Sequence, residues 1–421
     1  MVLIRALIAA LILLIPWVKW EISHRITVTE VVFCVLAVFF SIQLGKGRIR
    51  ISTHLLHKGF VFVLSIWLFA VLLSGVHAPH LSSYLFEVGG MLYLSLLGLL
   101  SALLITLDDK LLNRALRWTV WSVVLVGVIC VIGMAKGYTA GFFDRFFFNE
   151  THKLIASFKN PNQLAGYLVL FLPVLWELLW ASRGKRRIGY ALLCLAILAS
   201  VAASCSRAGI AVVALLAVGY SVWSLVRRKY KQVLTLMSAG IVLIGVICLL
   251  VFSLGDVFES IPAGDAFRSL FVSSLCQGQV IDSFRVENWN NAIRLFQQFP
   301  VTGYGVGNIW IDYGYEIHNT YLSTLAEMGI IGGIALLALF GYIAFIAYQN
   351  VKIATRLRPT WTPYARGLFA GLVAYYIFAT QHMMLRSRHL WLVFGLVVAM
   401  NGLLRLTERK GNVRNLRNTL S

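Results

Sequence analysis

His318–Tyr348 reads HNTYLSTLAEMGIIGGIALLALFGYIAFIAY, and this stretch decides the fold. From Thr320 onward it carries one charged residue, Glu327, in an apolar run longer than the roughly 20 residues a helix needs to cross a hydrocarbon core about 30 Å thick. Similar runs recur along most of the 421 residues. The chain is 59% hydrophobic and 13% charged, with a mean hydropathy of +0.80, against roughly 25% charged residues in an ordinary soluble domain. A polytopic membrane protein follows. Barrel strands would alternate over about 10 residues, so the long unbroken runs are helices.

About twelve spans are expected: Ala6–Val18, Val28–Leu44, Phe60–Val76, Leu85–Leu107, Leu116–Ala135, Leu164–Ala181, Ile188–Ala203, Ala208–Val226, Val233–Leu254, Thr320–Tyr348, Tyr364–Thr380 and Leu390–Leu406. Ala6–Val18 has the length of a signal-peptide core, but Pro16, Trp17 and Lys19 follow it in place of a small-residue cleavage site, so it is kept as the first span. The expected fold class is an all-α bundle of about twelve transmembrane helices forming one integral membrane domain over residues 1–421. One long loop, residues 255–319, is inserted between the ninth and tenth spans.

Orientation comes from Lys and Arg in short loops. With the N-terminus cytoplasmic, the basic clusters at Lys46–Lys58, Lys110–Arg117, Arg183–Arg187, Arg227–Lys231, Lys352–Arg366 and Arg405–Arg417 all fall inside. Both termini are then cytoplasmic. Most of the +20 net charge is thus accounted for by topology and anionic membrane lipids, and a nucleic-acid partner is not expected. The six cysteines are scattered without a disulfide or CxxC metal pattern.

The basic residues left outside run against this bias and need another reason. In the 255–319 loop, DSFRVENWNNAIRLFQQFP predicts an amphipathic helix over Ser283–Phe299 that Pro300 stops. Trp289, Ala292, Ile293, Phe296 and Phe299 form its apolar stripe, and Arg285 lies four residues before Trp289 on the same stripe. That cation is aimed inward. The competing reading is an interfacial helix whose Arg reaches phosphate headgroups. GYGVGN follows, with Tyr304 and Asn308 among three alternating glycines that could let the backbone approach an anion or could simply make a turn. His318 precedes the tenth span, where Asn319 or Thr320 could cap the helix. An imidazole at that positive helix end favours the neutral form and suits a general base. Arg207, in SCSRAG, is held between two spans with almost no loop. An ionisable residue at such a depth is by default a functional candidate. Lys159 and Asn162 end the other long outside loop, and His382, Arg386, Arg388 and His389 lie in the last one, where phosphate or sugar contacts compete with plain headgroup contacts. Glu327 reads as a structural partner to a buried polar group.

SFKNPNQLAGYL (Ser157–Leu168), SRAG (Ser206–Gly209), the Arg285 helix running into PVTGYGVGN (Pro300–Asn308), and HNTYLSTLAEMGIIGG (His318–Gly333) together resemble the O-antigen ligase and polymerase superfamily of bacterial membrane glycosyltransferases. The resemblance implies a type-C glycosyltransferase-like helical fold in the bacterial inner membrane, with an undecaprenyl-diphosphate-linked glycan as donor and lipid A-core oligosaccharide as the ligase acceptor. It implies that Arg207 and Arg285 face the donor diphosphate and that His318 serves the acceptor, all on the periplasmic side. Lys159, Asn162, Tyr304, Asn308, Arg386 and Arg388 are further candidates for substrate contact. Arginine fits the chemistry, because a glycosyl diphosphate leaves with its negative charge and a planar fork of donors can hold that charge. No cofactor and no metal are expected, and a single displacement implies inversion. A polymerase joining lipid-linked repeats is the nearest alternative, and one dominant outside loop without an added C-terminal domain favours the ligase. A lipid-linked glycan transporter would be expected to show internal repeats, which the sequence lacks.

Overall fold

The structure, a computed structural model, describes residues 2–19, 21–23, 26–49, 58–137, 144–151, 153–226 and 283–420. Among these residues helices dominate: α1 (Val2–Leu14), α2 (Val28–Gly45), α3 (Lys58–Leu73), α4 (Leu81–Ile105), α5 (Asp109–Lys136), the single turn α6 (Asp144–Phe147), α7 (Pro161–Ala181), α8 (Lys185–Ala203), α9 (Arg207–Val226), α10 (Ser283–Gln298), α11 (Asn308–Tyr313), α12 (Thr320–Leu357), α13 (Thr362–Phe378) and α14 (Arg388–Leu420). A short antiparallel hairpin, Glu21–Ser23 with Ile26–Thr27, precedes α2. Thr27 and Glu30 form a reciprocal capping box there.

Nine of the described helices are long and apolar enough to cross a membrane, which bears out a polytopic helical membrane protein. The count of twelve is not reached among the described residues. The first and eleventh expected spans are helices of 13 and 17 residues, about 20 and 26 Å at 1.5 Å per residue, short of the hydrocarbon thickness. The ninth expected span, Val233–Leu254, and residues 255–282 of the expected loop lie outside the described residues. Side-chain exposure agrees with a lipid solvent. Along α2, Val31, Val35, Val38 and Ile42 are exposed at i, i+4, i+7 and i+11, an apolar stripe that water would penalise.

Contacts group the chain into two compact units, Met1–Ser122 with Ser283–Ser421, and Val123–Asp282. In the first, α14 is largely buried and packs on α4 and α12. Small residues permit this. A Cβ on Gly395 would stand 2.7 Å from the Gly98 carbonyl oxygen of α4, the close backbone approach typical of helix pairs in lipid. Asn401 donates to the Asn350 side chain at 2.8 Å, and Asn350 donates to the Val397 carbonyl at 2.8 Å, tying α12 to α14 by buried polar groups. In the second unit α7 is the buried helix. Gly209 of α9 lies against Ala165 of α7, and an added Cβ would approach the Ala165 Cβ to 3.0 Å.

The helix of the opening sequence is not continuous. Gly329, at φ 63° and ψ −162°, occupies backbone space essentially reserved for glycine and splits α12 into two rods. The break releases the carbonyls of Ala326 and Glu327 and the amides of Ile330 and Ile331, which would pair in an unbroken helix. The segment after α10 takes all four. Tyr304 and Gly305 amides donate to the Ala326 and Glu327 carbonyls at 2.9 Å each, and the Ile330 and Ile331 amides donate to the Pro300 and Val301 carbonyls at 2.8 and 3.4 Å. GYGVGN is therefore spliced into the broken helix. A Cβ on Gly303, at φ +77°, would lie 2.2 Å from the Met328 nitrogen, and one on Gly329 would lie 2.3 Å from the Val301 carbonyl.

Gly329→Ala and Gly303→Ala are each expected to destabilise the protein by at least about 2 kcal/mol, since positive φ and backbone overlap act together. Gly89→Ala in α4, where an added Cβ meets nothing within 4 Å, is expected to be neutral or to stabilise by up to about 1 kcal/mol. Thermal unfolding in detergent compares the three. Wild-type melting of Gly329→Ala would mean that the splice is dispensable.

Candidate functional site

The start of α12 assembles the polar cluster of the first unit. Asn319 caps the helix, its side-chain oxygen accepting from the Tyr321 and Leu322 amides at 2.9 and 3.1 Å, as one of the two expected caps. His318 thus stands just outside the positive helix end. Thr320 staples the 379–384 turn to this point. Its amide donates to the Ala379 carbonyl at 2.9 Å, its hydroxyl donates to the His382 carbonyl at 2.7 Å, and the Met384 amide donates back to that hydroxyl at 2.9 Å.

This staple sets the His382 ring edge-on to that of His318, with centroids 6.0 Å apart, and against Phe378 at 4.9 Å. His382 is 3% exposed. Burial first, and then the positive potential of Arg285 and His318, together lower its pKa to about 3. The same effect shows that Arg285 is an electrostatic neighbour of the pair. Arg285, His318 and His382 form one cluster.

Arg285 reaches it from α10, whose packing face differs by one residue from the predicted stripe. Asn288, Ala292 and Leu295 are buried, whereas Ile293 is 43% exposed. Ala292 and Leu295 pack with Ile309, Ile317 and Ala326. The splice explains the rotation, because the Phe299 carbonyl accepts from the Gly303 amide and so fixes the exit of α10. Arg285 stays on the packing face, at i−3 from Asn288 and i−7 from Ala292. The Asn288 side-chain amide is buried with neither its oxygen nor its nitrogen hydrogen-bonded.

The other candidates of this unit are placed as follows. The amides of Gly303, Tyr304, Gly305, Val306 and Asn308 all donate within the protein, so the glycines serve close approach to the chain's own backbone, and these donors are already taken by it. Asn308 is fully buried. Its oxygen accepts from the His80 amide at 2.8 Å, and its nitrogen donates to the Val306 carbonyl at 3.2 Å. The Tyr304 hydroxyl donates to Asp312 at 2.7 Å, and His80 Nε2 meets the other Asp312 oxygen at 2.6 Å. Burial opposes ionisation of Asp312, but these hydrogen bonds hold it below the usual carboxylate range. Burial and Asp312 raise the Tyr304 phenol to about 12. Arg386 Nε lies 3.2 Å from Glu87, and Nη1 lies 3.1 Å from Glu316. Burial works against its charge, but Glu87, Glu327 and Glu316 outweigh that and raise its pKa. Glu327 is an electrostatic neighbour of Arg386. Arg388 pairs with Glu30 at 2.5 Å.

The second unit has its own cationic end. Asn160 caps α7, accepting from the Gln163 amide at 2.8 Å with Pro161 in the first turn. Lys159 and Asn162 flank this cap. Ser206 accepts from the Gly209 amide at 3.2 Å, so α9 begins at Arg207, which is exposed. Gly209 against Ala165 brings these two helix starts together. The turn before Arg207 passes through Cys205 at φ 51°, an uncommon left-handed conformation for a residue with a Cβ. Burial raises the Cys205 thiol, and the nearby Lys153 charge partly offsets this.

Two placements depend on the tertiary fold. His382 was grouped with its loop and not with His318, because only the Thr320 staple, a contact across 62 residues, joins them. Lys153 carried no motif at all. Its place follows from the Leu154 amide donating to the Ala203 carbonyl at 3.1 Å.

No curated protein matches the chain. Residues 192–337 match the family model described as O-antigen ligase, a stretch that contains Arg207, Arg285 and His318. The match supports ligase- or polymerase-type activity in general and agrees with the resemblance carried by the motifs inside it: this segment, from α8 into α12, is similar to the O-antigen ligase superfamily.

Proposed function

We propose that the protein transfers a glycan from undecaprenyl diphosphate to a hydroxyl of lipid A-core oligosaccharide at the periplasmic face of the bacterial inner membrane, with inversion and without a metal. The family match over residues 192–337 carries this reading. In it, Arg207 and Arg285 hold the donor diphosphate and take up the charge that develops on the leaving oxygens, a term worth about 3 to 4 kcal/mol per donor in analogous sites. His318 accepts the acceptor hydroxyl's proton as the oxygen attacks the anomeric carbon, for a gain of about 10²–10⁴ in rate. The proton passes to the imidazole, and the electron pair of the breaking bond leaves on the diphosphate. Lys159 and Asn162, beside the α9 start, are proposed to assist donor binding. Arg386 and Arg388 are held by glutamates, and Tyr304 and Asn308 bond within the protein, so their proposed part is to hold the structure around the substrate.

His382 supports the assignment of His318. A neutral, buried imidazole beside it adds no charge to a region that already holds Arg285. Protonating His382 would set two cations together in low dielectric.

The purified protein, given undecaprenyl-diphosphate glycan, is expected to glycosylate lipid A-core in the presence of EDTA. Arg207→Ala and Arg285→Ala should abolish transfer while the protein still inserts, and Lys at either position should rescue poorly, since a point charge replaces a fixed fork. His318→Ala should lower turnover by about 10²–10⁴ with donor binding retained. Lost donor affinity with unchanged saturated turnover would make His318 a binding residue. Extension of one lipid-linked glycan by another, with lipid A-core ignored, would replace the ligase by a polymerase.

A second expectation concerns pH. Because the folded pKa of His382 is about 3 and the unfolded value is near 6.5, the unfolded state binds the extra proton first. Its contribution to stability is complete above about pH 6.5 and is lost at about 1.4 kcal/mol per unit as pH falls toward 3. Thermal unfolding between pH 7.5 and 5 should show this slope reduced in His382→Gln. Equal slopes in the two proteins would place the titration elsewhere.

A further inference from the structure

The end of α12 and α14 remote from His318 holds a cavity of about 400 Å³, lined by Gln349, Lys352, Arg356, Arg405, Glu408 and Arg409 together with one isoleucine. It opens one turn beyond the Asn350–Asn401 tie. Four cations face a single carboxylate. Glu408 is taken by Arg356, and Arg405 donates to the neutral Gln349 oxygen at 2.6 Å and has no carboxylate within ion-pair distance among the described residues. Lys352 lies over the Tyr348 ring, 4.6 Å from its centroid. Among the described residues neither Lys352 nor Arg409 has a carboxylate within ion-pair distance.

Crowded like charges around a cavity are costly unless an anion shares it. The neighbouring surface points to the form of that anion. On the same helix Ile330, Ile334, Leu337, Phe345 and Tyr348 are exposed, at i, i+4, i+7, i+15 and i+18, and Lys352 continues the row one turn later. An apolar track thus runs along the span and ends at the basic cavity. The rod after the break, residues 330–357, is about 42 Å long at 1.5 Å per residue, more than a hydrocarbon core of about 30 Å requires. Its last turns therefore stand at headgroup depth.

We propose that this cavity is a binding site for the phosphate of an anionic phospholipid whose acyl chain lies along the exposed face of α12. The site is separate from the proposed transfer chemistry and does not depend on it. Basic pockets between spans recognise such headgroups through short-range charge and hydrogen bonds.

The test uses the full-length protein in neutral detergent, with binding followed by native mass spectrometry and by thermal unfolding. Phosphatidylglycerol is expected to bind at least about tenfold more tightly than phosphatidylcholine. Water-soluble glycerol phosphate should compete poorly, because it lacks the acyl track. Lys352→Gln combined with Arg409→Gln should weaken phosphatidylglycerol binding by about thirtyfold, the loss expected for two basic residues at about 1 kcal/mol each. Binding of phosphatidylcholine and the lipid-free melting temperature should not change. Arg183→Gln with Lys185→Gln, which removes two exposed charges at another helix end, should keep full lipid binding. Equal affinity for the two lipids in wild-type protein would overturn the proposal even if the double variant did not fold. Full retention of phosphatidylglycerol by a folded Lys352/Arg409 variant would overturn it as well, and competition by glycerol phosphate as strong as that of the lipid would make the ligand a soluble phosphate.

Discussion

A helix that breaks inside a membrane must find new partners for each amide and carbonyl it releases, because hydrocarbon offers none. In α12 the four groups freed at Gly329 are taken by Pro300, Val301, Tyr304 and Gly305. That exchange needs the 300–305 backbone within contact distance of 326–331, which only Cβ-free residues at 303 and 329 allow. The consequences spread outward. The exit of α10 is fixed, and with it the rotation that keeps Arg285 on the packing face. The first rod of α12 becomes a short segment whose capped start carries His318. Gly307, at φ 79°, is pressed against Glu87, and α11 follows it, bringing Asp312 to His80.

The charges around this splice are divided by partner. Arg386 faces Glu87, Glu316 and Glu327, and Arg388 faces Glu30. Arg388, Glu30 and Glu87 are mostly shielded from solvent, so removing one of them leaves a poorly solvated charge. Arg285 is placed differently. Its positive potential falls on His382 and helps to keep that imidazole neutral.

Much of this was legible from the chain. Apolar run length gave the spans because lipid imposes one requirement on every helix, and α2, α4, α5, α7, α8, α9, α12 and α14 lie at the expected places. The Asn319 cap was legible because capping is local. The stripe of α10 was read from Trp289, Ile293 and Phe296, although burial follows Asn288, Ala292 and Leu295. Periodicity reports which faces are apolar, and here two neighbouring faces are nearly so, while a backbone contact at Phe299 chooses between them. GYGVGN posed a similar ambiguity. Three glycines announce a close approach but not what approaches, and only the break at Gly329, hidden within an unremarkable Met-Gly-Ile, identifies the partner as the chain itself. His382 was invisible as a neighbour of His318 because the staple through Thr320 depends on the tertiary fold.

The same break also sets how far the two ends of α12 can influence each other. An unbroken helix would transmit a rotation or tilt of its basic end directly to His318. Gly329 interrupts the i to i+4 ladder, so the 320–328 rod is held by Thr320 to the 379–384 turn and by the splice to residues 304 and 305, while the 330–357 rod is held by the same splice to residues 300 and 301 and by Asn350 to α14. The two rods share the 300–305 segment, and each has one further anchor. What reaches His318 from the long rod therefore passes through the 300–305 segment in place of a continuous i to i+4 ladder.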